Sequence, residues 1–275
     1  MSDQNWTVSS PQTIDVDGVT LLKLGMVHGR FDIVTHQEPV TRIEISDVHG
    51  DPVDVSVTAG RLEIRHQLHG AQGWFKNLMG TVNHNSDNSA VISIAVPAGV
   101  DVEAGIVSGD GLVSGVTGHT RLNTVSGAVM ADGTGGELHV NTVSGEVSAR
   151  NHRGVLTAKS VSGEVTASGE FSNVRASTVS GDLSFDLHGF TRDFGSNSVS
   201  GDLTIRLPHD VGVDIVAKTA SGTLVIDNQR YAQLGGKVET IAGPDSQLML
   251  VRTNFVSGTT SILHRAPTGT AEAAL

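Results

Sequence analysis

The phrase Thr-Val-Ser-Gly-[Glu/Asp]-[Val/Leu] returns at a nearly fixed interval, and this recurrence leaves few folds open to the chain. It stands at residues 142–147 and 178–183, with Ser at its head at 160–165, and its first four residues open at 124–127. The phrase glycines are Gly109, Gly127, Gly145, Gly163 and Gly181, each 18 residues from the last. Gly201 follows after 20 residues, Gly222 after 21 and Gly258 after 36, which equals two steps of 18. A fixed period near 20 residues marks an array of small units that bury their cores only by stacking on one another.

Alternation inside one period identifies the unit. Val143, Gly145, Val147 and Ala149 are expected on one side of a strand, and Ser144, Glu146 and Ser148 on the other. Leu138 and Val140 face in while His139 and Asn141 face out, and Leu156, Ala158, Val174 and Ala176 repeat the inward positions. Polar or Gly-rich breaks at 133–136 and 151–154 separate the strands. Two strands and two corners in 18 residues predict an all-β chain, a parallel β-helix (β-solenoid) with coils of roughly 18–21 residues. Two apolar columns are expected to form its core. One is Val125, Val143, Val161, Val179 and Val199; the other is Val129, Val147, Val165, Leu183, Leu203 and Leu224. The phrase glycine is expected to point inward and let opposite walls approach. Equivalent coils in sequence order further imply that a Val→Asp change harms a middle coil more than a terminal one.

Composition narrows the function. Aromatics make up 4% of 275 residues and glycines number 33, which suits thin coils rather than one large core. The absence of cysteine excludes disulfides and thiolate metal sites. A net charge of −11 argues against nucleic acid as a partner, because backbone binding depends on Lys and Arg. The first 17 residues lack a basic segment followed by an apolar run, and the longest apolar run, 90–100, is too short to span a bilayer. The expected location is cytoplasmic, with association to the envelope left open.

In chain order, residues 1–19 form a lead-in and 20–100 form degenerate coils with an aromatic insertion at 70–89. Regular repeats fill 101–264, and 265–275 is expected to be a disordered tail. Val27-His28-Gly29-Arg30-Phe31 keeps the spacing of the later phrase; Val48-His49-Gly50 and the stretch 59–64 look like further copies. Arg252 to Leu263 reads as the final coil. In the insertion, Trp74, Phe75, Leu78 and Met79 read either as a cover over the repeats or as a partner or membrane contact.

The repeated phrases at 142–147, 160–165 and 178–183, with the strand at 92–97 leading in, resemble a bacterial β-strand-repeat family usually labelled "putative adhesin", a domain of unknown function. The resemblance spans about 90–265 and implies a β-solenoid. It carries no established catalytic residues to transfer.

Candidate chemistry is sparse. Asp110, Glu146, Glu164, Asp182 and Asp202 follow phrase glycines and would form an acidic ladder, either a solvated face or a row of hard oxygen ligands for a cation. Ala128 interrupts that ladder, and the Gly-Gly-x-Gly-x-Asp calcium repeat is absent, so no metal or other cofactor is expected. Eight equivalent serines, from Ser108 to Ser257, suggest structure rather than a nucleophile. His66 and His69 could share a surface, but the twelve histidines show no metal-ligand spacing. The resulting expectation is a non-catalytic scaffold or interaction module, linked to the envelope or to stress. It would have a protein partner, a peripheral membrane contact or self-association, and no nucleic acid. A surface adhesin and a polysaccharide-active β-helix enzyme are the alternatives.

Overall fold

The structure, a computed structural model, describes residues 3–66, 88–231 and 236–266; among these there is no helix. The chain divides into two compact units, Met1–Ser148 and Ala149–Leu275.

The N-terminal unit holds β1 (Gln4–Val8), β2 (Gln12–Asp17), β3 (Leu21–His36), β4 (Val40–His49), β5 (Val53–Thr58), β6 (Arg61–His66), β7 (Ser89–Pro97), β8 (Asp101–Ser114), β9 (Thr120–Ser126), β10 (Ala128–Asp132), β11 (Gly135–Thr142) and the first residues of β12 (Glu146–Ser160). They form two walls. One runs β1, β5, β6, β3, β8, β9, β11; β1, β5 and β6 pair antiparallel and the rest parallel. The other runs β2, β4, β7, β3, β8, β10, β12, antiparallel as far as β7 and parallel from β7 to β10. The long strands β3 and β8 serve both walls, bending at Gly29 and Gly109, whose φ angles of +117° and +136° suit glycine. One strand of each wall, joined at such a corner, makes a rung. The phrase-like spacing at 27–31 is therefore a true rung, with Gly29 opposite Gly109 and Phe31 opposite Gly111.

Two other sequence copies are not rungs. Val48 and His49 end β4, which runs antiparallel to β7 with Val48 opposite Ala90. Ala59 and Gly60, at φ +50° and +82°, are the two-residue turn of the β5–β6 hairpin. Both stretches carry the glycine and alternation of a rung. The first lies on an antiparallel strand, and the second leads into β6, which is parallel to β3 but is entered through a hairpin within one wall rather than a corner between walls.

The C-terminal unit holds the rest of β12, then β13 (Val165–Thr178), β14 (Leu183–Leu187), β15 (Asp193–Ser198), β16 (Leu203–Leu207), β17 (Gly212–Thr219), β18 (Thr223–Ile226), β19 (Gln229–Tyr231), β20 (Gly236–Ala242), β21 (Leu248–Phe255) and β22 (Thr259–His264). Here the stacking departs from sequence order. β21 pairs in parallel with β15 on one side and β17 on the other, and β22 does the same with β16 and β18. The last rung therefore fills a slot between the rungs 193–207 and 212–226. β19 and β20 turn back antiparallel onto the far sides of β18 and β17, leaving β21 and β22 the inner sides.

The second apolar column is core as expected: Val129 and Val147 in the first unit, Val165, Leu183, Leu203 and Leu224 in the second, all buried. In the second unit Thr260 of the inserted rung stands between Leu203 and Leu224. Phe185 and Phe194, from opposite walls, meet edge-to-face at 5.0 Å and fill the width of the interior.

The outer face of the first wall carries paired charge. Arg61 and Arg65 donate to Glu63 at 2.7 and 2.6 Å. Burial pushes the Glu63 carboxyl up, but the two guanidinium hydrogen bonds outweigh it and hold the group below its ordinary value. A carboxyl depressed in the folded state stabilises above its unfolded value of about 4.3 and loses that contribution as pH falls through the folded value. Glu63→Gln should therefore lower the urea midpoint at pH 7 by the equivalent of about 0.5–1 kcal/mol, and the deficit should shrink as pH falls below the ordinary carboxylate range of about 4. A deficit unchanged at pH 3 would show that the ion pairs are not its source.

Candidate functional site

The repeated phrase builds the corner between the two strands of a rung. Its first residue points inward and closes the corner with its hydroxyl. Thr142 Oγ1 donates to the Gly145 carbonyl at 2.8 Å and Ser160 Oγ to that of Gly163 at 2.6 Å; Thr178 Oγ1 and Ser198 Oγ accept the N–H of Gly181 and Gly201 at 2.8 and 3.1 Å. The next two residues, Val and Ser, both face outward, so the corner shifts the alternation by one position. This corrects the first core column. Val161, Val179, Val199 and Val256 are 47–51% exposed. Val125 and Val143 of the first unit are half-buried rather than core.

The glycine has a different task from the one expected. A Cβ on Gly181 would lie 2.0 Å from the carbonyl oxygen of Gly163, and one on Gly201 2.0 Å from that of Gly181. The close approach is to the corner one rung back, not to the opposite wall. Serine completes the stack. The N–H of Ser180, Ser200 and Ser257 donates to the carbonyls of Val161, Val179 and Val199 at 2.8, 2.9 and 2.9 Å. Their hydroxyls donate to the same oxygens at 3.3, 3.4 and 3.4 Å. The outward serine column is thus engaged with backbone. The four valines stand in single file on these saturated corners, about 4.8 Å apart.

The acidic ladder divides by unit. In the C-terminal unit Asp182 Oδ1 accepts the Asp202 N–H at 2.9 Å, and Asp202 Oδ1 accepts the Thr259 N–H at 2.7 Å. Each of these two short carboxylates caps the next rung. Glu164 is exposed and accepts from the Thr166 hydroxyl at 3.4 Å. In the N-terminal unit Asp110 and Glu146 are exposed and line one groove, with Ala128 between them. Among the described residues, no group of three or more His, Asp or Glu is placed to hold a metal ion.

His66 is buried, with Nε2 2.8 Å from the Asp51 carbonyl; His69 lies outside the described residues, as do Trp74, Phe75, Leu78 and Met79. The Asp51 N–H also donates to Asn88 Oδ1 at 3.0 Å. His66 and Asn88, which flank 67–87, are thus both held by Asp51, a network with no sequence signature.

With this geometry in view, the model of the Toastrack DUF4097 family matches residues 41–262, most of the chain. The chain belongs to that family. No curated protein matches it. Among solved structures, this Toastrack chain is similar to a "putative lipid binding protein" from Parabacteroides distasonis, 13% identical over 94% of this chain and 97% of that one, with a TM-score of 0.51. It is also similar to a "putative adhesin" from Bacteroides fragilis, 13% identical over 92% and 97% of the two chains, TM-score 0.43. A "putative cell adhesion protein" from Clostridium sporogenes is 16% identical over 93% and 100%, TM-score 0.31. At these identities the first likeness speaks to fold, and the other two carry no argument. In this Toastrack chain no described helix is long and apolar enough to cross a membrane.

Proposed function

We propose that this Toastrack chain is a non-catalytic interaction module of β-solenoid type whose contact surface is the corner edge of the C-terminal unit. One observation carries the reading: Val161, Val179, Val199 and Val256 form an exposed apolar row on corners whose backbone is already hydrogen-bonded. Such a row has no role in closing the corner, and a contiguous apolar strip is the ordinary mark of a contact. The engaged serines also weigh against a nucleophile. A lipid surface is the partner this edge suits, in line with the lipid-binding description of one structural neighbour and with an envelope-linked role. Uncharged lipid is favoured, because a net charge of −11 is repelled by anionic membranes.

Flotation with neutral phosphatidylcholine vesicles tests the proposal. The wild type should float, and a Val179→Ser/Val199→Ser variant should stay at the bottom with unchanged circular dichroism. A Trp74→Ser/Phe75→Ser variant run beside it reports on the aromatic segment. If the wild type fails to float, or the valine variant floats equally well, the corner edge is not the contact.

A further inference from the structure

The exposed row of the C-terminal unit does not stop at its four valines. On the rung 212–226 the corner reads Thr219-Ala220-Ser221-Gly222, which puts Ala220 in the valine position. The corner is built like the others. Ser221 donates its N–H and its hydroxyl to the Val256 carbonyl at 2.8 and 3.2 Å, and the Gly222 N–H donates to Thr219 Oγ1 at 2.7 Å. The row therefore runs Val161, Val179, Val199, Val256, Ala220, and it sheds the valine methyls at its last step. A groove of about 590 Å³ opens there, with Phe255, Val256 and Ala220 among its lining residues.

Register sets the polar side of this groove. Asn197 stands opposite Asn254, Asn254 opposite Lys218, and Lys218 opposite Lys237, one residue each from β15, β21, β17 and β20. All four are exposed and line the groove. Asn254 Nδ2 donates to Asn197 Oδ1 at 2.9 Å. The two lysines are direct cross-strand neighbours, with Cβ atoms roughly 4.5–5.5 Å apart. Like charges so placed are destabilising. The chain has 18 basic residues against 29 acidic ones, so composition does not account for the pairing. Nor is the charge balanced locally. Lys237 reaches Glu239 along its own strand, and Arg252, two positions before Asn254, pairs with Asp193. Lys218 forms no ion pair among the described residues, and no carboxylate among them lines the groove.

We infer that this groove takes the phosphate diester of a single phospholipid headgroup, an inference that rests on the valine edge being a lipid contact. Each unesterified oxygen of the phosphate can face one ammonium, which turns the repulsion between the lysines into a shared attraction. The acyl chain then leaves past Val256 onto the valine row, so the polar and apolar parts of one lipid meet groove and edge in turn. A zwitterionic lipid supplies this anion without the net negative surface that a chain of charge −11 disfavours.

Titration of the ¹⁵N-labelled full chain with dihexanoylphosphatidylcholine, kept as dissolved monomers, reads the groove without a membrane. Amide shifts should saturate and gather at Thr219, Ala220 and Asn254. Lys218→Gln/Lys237→Gln should weaken binding at least about tenfold. Without lipid, Lys218→Gln alone should leave the melting temperature equal or higher, because a repulsion is removed. A clear drop would show that Lys218 serves the fold and would overturn the inference. Ala220→Val restores the missing methyls and fills the opening, so it should abolish monomer binding while the protein still floats with vesicles. Unchanged affinity in either groove variant, or the absence of saturable shifts, would also overturn it. Inorganic phosphate bound as tightly as the lipid would make the groove a free-anion site, with the same consequence. Monomer binding by a wild type that fails to float would reject the valine edge and keep the groove; flotation without monomer binding would do the reverse.

Discussion

Replacing Val251 by Asp should unfold the C-terminal unit, although Val251 lies in the last tenth of the chain. Sequence order makes this the terminal repeat, where the mildest effect would be expected. The structure places Val251 between Phe194 on β15 and Ile215 on β17, fully buried. A carboxylate there has no partner and no route to water, and such a change exceeds about 4 kcal/mol. Loss of the inserted rung also leaves β15 and β16 unpaired toward β17 and β18, so damage spreads in both directions along the stack. Val256→Asp, five residues on, is the control. That side chain is half exposed at a corner and should change stability by no more than about 0.5 kcal/mol. Amide exchange measured by mass spectrometry separates the outcomes. Protection should be lost at 193–207 and 212–226 together with 248–264. Fraying confined to 248–264 would show that the last rung is an appendage and not a member of the stack.

This contrast also marks what the sequence can convey. Alternation within a strand is local, so Leu138, Val140, Leu156, Ala158, Val174 and Ala176 are legible as core and are buried. The corner is local too, yet it misleads. Reading alternation back from Val147 through Gly145 puts Val143 inside, because nothing in the letters shows that a hydroxyl at Thr142 turns the chain and places two residues outward in succession. Rung order is not local at all. Parallel strands stack at one spacing whatever their separation in the chain, so a gap of 36 residues between Gly222 and Gly258 looks like two missing steps. In fact Gly258 stacks on Gly201, and Gly222 on Gly258. The candidate site was legible in its parts only. The acids and the break at Ala128 were visible, but the commitment of Arg30 to Asp32 and the capping of the next rung by Asp182 and Asp202 required the register.

The second large effect concerns the glycine that sets the period. Gly181→Ala should cost about 3 kcal/mol or more, a loss of roughly 6–12 °C in melting temperature. The added methyl would lie 2.0 Å from the Gly163 oxygen and 3.1 Å from Ser160 Oγ. A backbone oxygen cannot rotate away, so relief requires the two corners to separate. That separation would stretch the Ser180 N–H bond to Val161 and the hydroxyl bond beside it. Backbone angle is not the cause here, since Gly181 is not among the glycines of positive φ. Gly99→Ala isolates the point: a Cβ there meets nothing within 4 Å and Gly99 likewise has no positive φ, so it should be neutral or stabilising by about 0.4–1 kcal/mol. Equal melting temperatures for the two variants would mean that the corners can spread without cost. The phrase glycine would then be a matter of composition, and the 18-residue period would have to be set elsewhere in the rung.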